Sequence, residues 1–416
     1  MSLFKKKKNE LLEVEVSEKH VGLRIAALII LVVIGIGCLA YALISVLTVE
    51  KGWTTIEVDS GNMAINEELI FNYDIGRGEE SPTNEWKKIT SAYSEAANKA
   101  YRIFDLYQSY DDTVNMYTVN RSVGKELTVS SALYRAFELA QGYGNRYIYL
   151  APIYSLYSDL CFSESDPEAA ENDPYKNEDS AEYVGMIAGF AADPSAVDVK
   201  LLGNNKLMLA VSDEYKKVIE EWGIENVVDF SYLTNAFIVD YIADALMAKG
   251  YTKGNITSYD GYIRNMDSSG EIYAINIFDR VGTEVYTAAT VKYSGATSIV
   301  SMRNYPLNSK ESFYYYSYSS GEMAHRYTDI KTGKYVSSTD EMISYSHTKS
   351  CAEVAIQMSD VFIASEYDRA AVQSMCTDGV FSVWTEESTV FYNDKKLLVD
   401  DLFKSDERSY VGSLVE

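Results

Sequence analysis

From Ile25 to Val49 the chain carries no charged residue. At 1.5 Å rise per residue, a helix over that run crosses the roughly 30 Å hydrocarbon core of a bilayer. The expectation is a single transmembrane helix over residues 25–49. Lys5, Lys6, Lys7, Lys8, Lys19 and Arg24 precede it, whereas Glu50, Lys51 and Trp53 follow. The positive-inside rule therefore keeps residues 1–24 as a cytoplasmic tail and places the main domain outside, in a single-pass protein of the cell membrane. Gly35-Ile36-Gly37-Cys38 superficially matches a lipoprotein cleavage box, but Gly stands three positions before the Cys where a bulky aliphatic is needed.

Beyond the span the chain reads as acidic and globular. Its 37 Lys+Arg face 61 Asp+Glu, a formal net charge of -24. Removing the tail's six bases and four acids leaves 31 bases against 57 acids. No basic stripe offsets that field, which excludes a nucleic-acid partner. An apolar fraction of 47% with only six Pro excludes disorder as the main state. Three His leave little room for a His-rich metal site, and Cys161, Cys351 and Cys376 form no C-x-x-C, so neither a disulfide framework nor a zinc site follows.

Periodicity divides the outer part. A polar neck covers 50–82. Ser81-Pro82 then opens a helix whose face carries Trp86, Ile89, Tyr93, Ala96, Ala100 and Tyr107. Ser130 or Ser131 caps a second helix with Leu133, Phe137 and Ala140. A third runs from about Leu233 to Ala248, with Val239, Ile242, Ala243 and Leu246 inward and Gly250 as its stop. Between 163 and 183 eight acids, one base and two Pro predict a solvated loop or insertion. From Glu271 onward, alternation predicts antiparallel strands at Val285 to Val291, Ser298 to Met302 and Phe313 to Tyr318, then an amphipathic helix at Ser350 to Phe362. Further strands follow at Val380 to Trp384 and Thr389 to Tyr392. Segregated helices and strands favour an α+β class, with one outer domain over 83–416.

Most motifs fail. There is no P-loop, and Gly142-Tyr143-Gly144 lacks the third glycine of a dinucleotide fingerprint. Lys331-Thr332-Gly333 has no Ser-x-x-Lys partner in the right place for a penicillin-recognising serine enzyme. One constellation does hold together. Val228-Asp229-Phe230 through Ile238-Val239-Asp240, and on to Asp260-Gly261-Tyr262-Ile263-Arg264, resembles the central block of the FAD:protein FMN transferase family. That block reads D-L-G-G-x-x-K-G-x-x-x-D, then N-x-G-G-D-I-R. Downstream, His325-Arg326-Tyr327-Thr328-Asp329-Ile330-Lys331-Thr332-Gly333 is similar to the family's H-x-I-x-D-P-R-T-G. Upstream, Asp112 to Asn120 with Val129-Ser130 is similar to its S-E-I-x-x-x-N segment.

The resemblance implies a flavin-transferase-like domain with antiparallel sheets and packed helices. It also implies transfer of FMN from FAD to a Thr or Ser of an exported acceptor protein, with AMP leaving and a divalent cation such as Mg²⁺ assisting. His325 and Asp329 would lie near the reacting phosphate. Asp229, Asn235, Asp240, Asp260, Gly261 and Thr332 would surround the dinucleotide. Glu353 and Gln357, at the positions of an A-D-x-x-x-T helix start, would hold the metal.

The pattern also departs from the family at polar positions. Asn235 replaces a Lys, Asp260 replaces the first turn Gly, Arg146 to Leu150 replaces an F-D-P-T segment, and Gln357 replaces a Thr. The first two disfavour a diphosphate electrostatically. Each singled-out residue also has a structural reading. His325 is equally a satisfied strand-end histidine, Asp229 and Asp240 are helix-start acids, Glu353 and Gln357 a solvated helix face, and Asp260-Gly261 a turn. Ser294-Gly295-Ala296-Thr297 resembles a flavin-acceptor tetrapeptide but lies in strand-like sequence. Two functions stay open: the transferase, and a catalytically inactive domain that binds a flavin or a partner.

Overall fold

The computed structural model describes residues 29–38, 49–59, 63–308, 310–406 and 408–415. At its centre is a nine-stranded sheet. The strands run in the order Gly52–Ile56, Leu69–Ile75, Gly254–Ser258, Tyr262–Asn265, Thr297–Arg303, Glu341–Ser346, Phe381–Glu386, Thr389–Tyr392 and Val411–Leu414. Only the last two are parallel neighbours; the rest pair antiparallel.

The middle strand shows why the sheet sits inside the molecule. All seven residues of Thr297–Arg303 are buried. Val300 and Met302 join a core shared with the helices, while Ile299 joins a second core on the other face. Its partner strand repeats the division, with Met342 on the first side and Ile343 on the second. A two-residue period feeding two cores is what a strand covered on both faces requires.

On the first face pack three helices. Pro82–Phe104 starts where Ser81 accepts the amide of Asn84, with proline at the first helical position. Thr234–Ala248 lies against it and against Cys351–Phe362, which rests on the two central strands. Val239, Ile242, Ala243 and Leu246 of the middle helix are fully buried, as its apolar spacing predicts. The other face is closed by the hairpin Ile272–Val281 with Glu284–Ser294, which presents Ile277, Ala289 and Val291 to Ile343 and Val383. A small separate sheet joins Leu127–Thr128, Lys206–Val211 and Val197–Gly203. Its tight turn places Asn204 and Asn205 at φ 51° and 59°, the left-handed geometry that Asn tolerates.

Three expectations need correction or limits. The stretch 50–82 is not a neck: Gly52–Ile56 and Leu69–Ile75 are sheet strands, with Phe71, Tyr73 and Ile75 buried beneath the long helix. The acidic stretch 163–183 is not an open loop either. Pro167 opens the helix Asp166–Glu171, and Asn177 caps the helix Glu178–Ala192. Asp173 between them is fully buried, its carboxylate accepting the hydroxyls of Tyr318 at 2.6 Å and Tyr335 at 3.1 Å. Asp166 adds a second tie, accepting the Tyr316 hydroxyl at 3.0 Å and the Ser319 amide at 3.1 Å, while the other acids face solvent, a distinction that composition does not carry. Of the expected membrane span, residues 29–38 are helical with exposed apolar side chains, and residues 25–28 and 39–48 lie outside the described residues. No helix among the described residues is long and apolar enough to cross a membrane.

Candidate functional site

The turn between Gly254–Ser258 and Tyr262–Asn265 brings Asp260 to the surface of a cleft of about 910 Å³. Gly261 makes that approach possible. Its φ is +105°, and a Cβ there would sit 2.2 Å from the carbonyl oxygen of Ser301, whose amide donates to Gly261 O at 2.8 Å. The segment before Thr234–Ala248 supplies Asp229 and Ser231 to the same cleft, and the first turn of that helix supplies Asn235. The helix Ala151–Cys161 forms one wall, and Phe313, Tyr314, Lys310 and Arg326 form the opposite lip.

Asp260 and Arg326 pair at 3.1 Å. The guanidinium carbon lies 3.9 Å from the centroid of Tyr314. Asp260 is 7% exposed, yet its Oδ1 has no hydrogen-bond partner among the described residues. Lys310 pairs with Glu67 at 2.9 Å and sits 4.4 Å from the centroid of Tyr259. Glu68 accepts the hydroxyl of Tyr101 at 2.7 Å, and burial raises its pKa. Burial likewise pushes Asp229 up to about 6, against the pull of the Ser231 amide that donates to it at 2.7 Å. The lining thus holds five acids, Glu67, Glu68, Asp159, Asp229 and Asp260, and two bases, each paired with one of those acids.

Of the residues that the motif resemblance assigns to the dinucleotide, Asp229, Asn235 and Asp260 converge here. The others do not line this cleft. Asp240 accepts the amides of Cys351 at 2.9 Å and Ala352 at 2.8 Å, so it caps the helix Cys351–Phe362 across the core. Burial raises it to about 6. Thr332 and Asp329 are spent in a turn: the Asp329 carboxylate accepts the amides of Lys331 and Thr332 and the Thr332 hydroxyl, at 2.8 to 3.0 Å. Gly333 closes that turn against Val184, whose carbonyl would lie 2.3 Å from a Cβ.

His325 is buried between Tyr327 and Tyr335, with ring centroids 5.7 and 5.2 Å away. Its Nδ1 accepts the Tyr327 amide at 3.3 Å, and burial lowers its pKa to about 3, so it is neutral near pH 7. Glu353 completes a capping box, accepting the amide of Ser350 at 2.9 Å while Ser350 accepts its own. Gln357 donates to the Tyr143 hydroxyl at 3.2 Å. Among the described residues, no group of three or more His, Cys, Asp and Glu is placed to hold a metal ion.

Two cleft residues carry signals that the motif comparison passed over. Ser231 stands at the first glycine of D-L-G-G and keeps the backbone that a glycine serves, with φ +48°. A left-handed serine costs about 1 kcal/mol or more, so the segment retains the turn without its usual residue. Arg326 follows His325 in the sequence, and it is Arg326 that reaches the cleft. His325 ends the short strand Met323–His325 with its ring buried, and the next residue, Arg326, lines the cleft.

Taken without a metal ion, this lining is electrostatically unfavourable for a flavin diphosphate. At an effective dielectric of about 20, a unit charge at 4 Å contributes about 4 kcal/mol, and both lining cations are already neutralised by carboxylates. No family profile matches the sequence, and no curated protein matches it. Solved structures do share the fold. An ApbE protein from Thermotoga maritima superposes with a TM-score of 0.55 at 9% identity, covering 80% of this chain and 94% of its own. The flavin transferase ApbE from Vibrio cholerae, in a histidine-to-glycine mutant, superposes with a TM-score of 0.52 at 12% identity, covering 85% and 98%. The chain therefore has an ApbE-like flavin-transferase fold, built as α+β with antiparallel sheets and packed helices.

Proposed function

We propose that this chain is a membrane-anchored extracytoplasmic domain that uses a flavin-transferase scaffold to bind a partner without transferring FMN. One observation carries the reading: among the described residues the cleft offers five acids and no unpaired cation where a diphosphate would need positive charge. Three further features support it. His325 is neutral and does not line the cleft, Glu353 is committed to a helix cap, and Asp240 to another. The charge-free run 25–49 and the bases before it support the anchor and its orientation.

The second reading is FMN transfer from FAD, with a divalent cation and an exported acceptor. It is favoured by the fold shared with a named flavin transferase and by the convergence of Asp229, Asn235 and Asp260 on one cleft. The two separate in one assay. The full chain in detergent is mixed with FAD, Mg²⁺ and a peptide bearing Ser-Gly-Ala-Thr, and AMP and the FMN mass increment are followed. The proposal expects neither; release of AMP with a flavinylated peptide sinks it.

A further inference from the structure

The cleft does not end at its wall. A second cavity of about 410 Å³ shares Tyr107, Ala151, Ser155, Asp159 and Asn226 with it, so the two adjoin along the helix Ala151–Cys161 and are taken together as one groove. The second part adds Asp179 and Glu225 and no base. Seven acids and two bases therefore line the groove. Lys310, Arg326 and the neighbouring Arg121 neutralise Glu67, Asp260 and Glu225. Glu68, Asp159, Asp179 and Asp229 have no ion-pair partner among the described residues.

Aromatic rings flank these carboxylates and stand open to solvent. Tyr107 is 84% exposed, Phe162 60%, Phe313 56% and Trp222 55%. Phe162 and Phe313 face each other at 5.5 Å, and Trp222 leans on Tyr183 at 5.0 Å. Large exposed apolar side chains gathered along one concavity mark an interaction surface rather than scattered surface residues. The groove also shows its chemistry in its own contacts. Tyr314 and Tyr259 already carry a guanidinium and an ammonium on their faces. Asp260 is buried with one oxygen still lacking a donor. Unpaired carboxylates between exposed rings suit a cation on a flexible stem, attracted by charge and by the ring faces.

We propose that the groove binds an extended basic segment of a partner protein, seating arginine or lysine side chains between its acids and aromatic rings. This deepens the partner-binding reading above and rests on it. Charge complementarity selects the occupant: an acidic or anionic ligand meets the like charge of Glu68, Asp159, Asp179 and Asp229, and a purely apolar one leaves those carboxylates facing it.

The test uses the full chain in detergent and two labelled peptides, acetylated and amidated. One is Arg-Gly-Leu-Arg and the other Glu-Gly-Leu-Glu, each titrated by fluorescence anisotropy. The arginine peptide is expected to bind below about 1 mM and to weaken as salt is raised, and the glutamate peptide not to bind. The double variant Asp159→Asn, Asp179→Asn is expected to weaken binding about tenfold, and Tyr107→Ala to weaken it several-fold. All three positions are exposed, so these variants keep the fold. Absence of arginine-peptide binding up to about 1 mM, equal binding of both peptides, or unchanged affinity in the variants overturns the proposal. AMP release from FAD in the same preparation is read separately: it overturns the non-transferring reading and leaves the peptide result to be judged by itself.

Discussion

Two arginines paired with buried carboxylates answer to different rules. Arg303, at the end of the middle strand, meets Glu341 at 3.2 Å and Glu311 at 3.0 Å. Glu341 also accepts the Ser301 hydroxyl at 2.8 Å and the Phe278 amide; Glu311 also accepts the Leu307 amide at 3.0 Å and Asn308 Nδ2 at 2.9 Å. All four carboxylate oxygens are used. Arg326 meets Asp260 once, at 3.1 Å, and leaves Asp260 Oδ1 without a donor. Each arginine has one unpartnered Nε, so the carboxylates make the difference. A desolvated ion pair is held in place when its remaining lone pairs are satisfied, and it is poised to accept another group when they are not. The first network is scaffold, whereas the second opens onto the cleft.

The contrast can be broken by mutation. Glu341→Ala strands Arg303 with half its compensation and is expected to cost about 3 to 5 kcal/mol, read from the urea midpoint. A midpoint close to that of the parent chain would show that Arg303 finds water and that the network is not a scaffold.

A second effect of similar size depends on pH. His325 takes up a proton in the unfolded chain near 6.5 but in the folded chain only near 3. Its folded pKa is depressed, so stability is lost as pH falls below 6.5, by about 3 kcal/mol between pH 7 and pH 4. Asp229 and Asp240, raised to about 6, act in the opposite sense: each favours folding more as pH falls from about 6 towards 4. Those two remain in a His325→Gln variant, which isolates the histidine. The variant is expected to lose about 3 kcal/mol less than the parent over that interval, and an identical acid slope would place a solvated imidazole there.

Asp240→Ala removes the acceptor of two buried amides at the start of Cys351–Phe362, for an expected loss of about 2 kcal/mol; Asp240→Asn should lose less. Thermal unfolding of both variants checks the order. The smallest effect belongs to the cleft. Asp260→Asn keeps an oxygen facing Arg326 but removes the one carboxylate paired with it among the described residues; Arg326 lies at the cleft, where water replaces part of that compensation, so about 1 to 2 kcal/mol is expected, less than for Glu341→Ala. If that substitution costs as much as Glu341→Ala, the cleft pair is scaffold too and the distinction between the two arginines disappears.

Much of the frame was legible along the chain. Ser81-Pro82, Ser130 and Ser350 mark three helix starts, and all three accept an amide three residues on. The span Phe313 to Tyr318 was half right: a single turn, Ser312–Tyr314, precedes the strand Tyr315–Ser317. The site was legible only as a set of positions. Asp229, Asn235 and Asp260 reach the cleft, while His325, Asp329, Thr332, Glu353 and Asp240 are spent on turns, caps and aromatic packing. The helices Ala151–Cys161 and Asp213–Trp222 went unnoticed, and the first of them makes the cleft wall.

Local physics explains what the sequence settled by itself. Capping, the two-residue and 3.6-residue periods, the charge-free run at 25–49 and the acidic field are properties of near neighbours or of composition, and they need no fold to be read. The tertiary structure alone decided which polar groups are free. Asp240 is occupied because the amides of Cys351 and Ala352, more than a hundred residues away in sequence, arrive at its carboxylate, and Asp260 keeps an idle oxygen because nothing arrives there. Whether a carboxylate binds a ligand or holds the fold depends on which donors the chain brings to it, and only the folded chain states that.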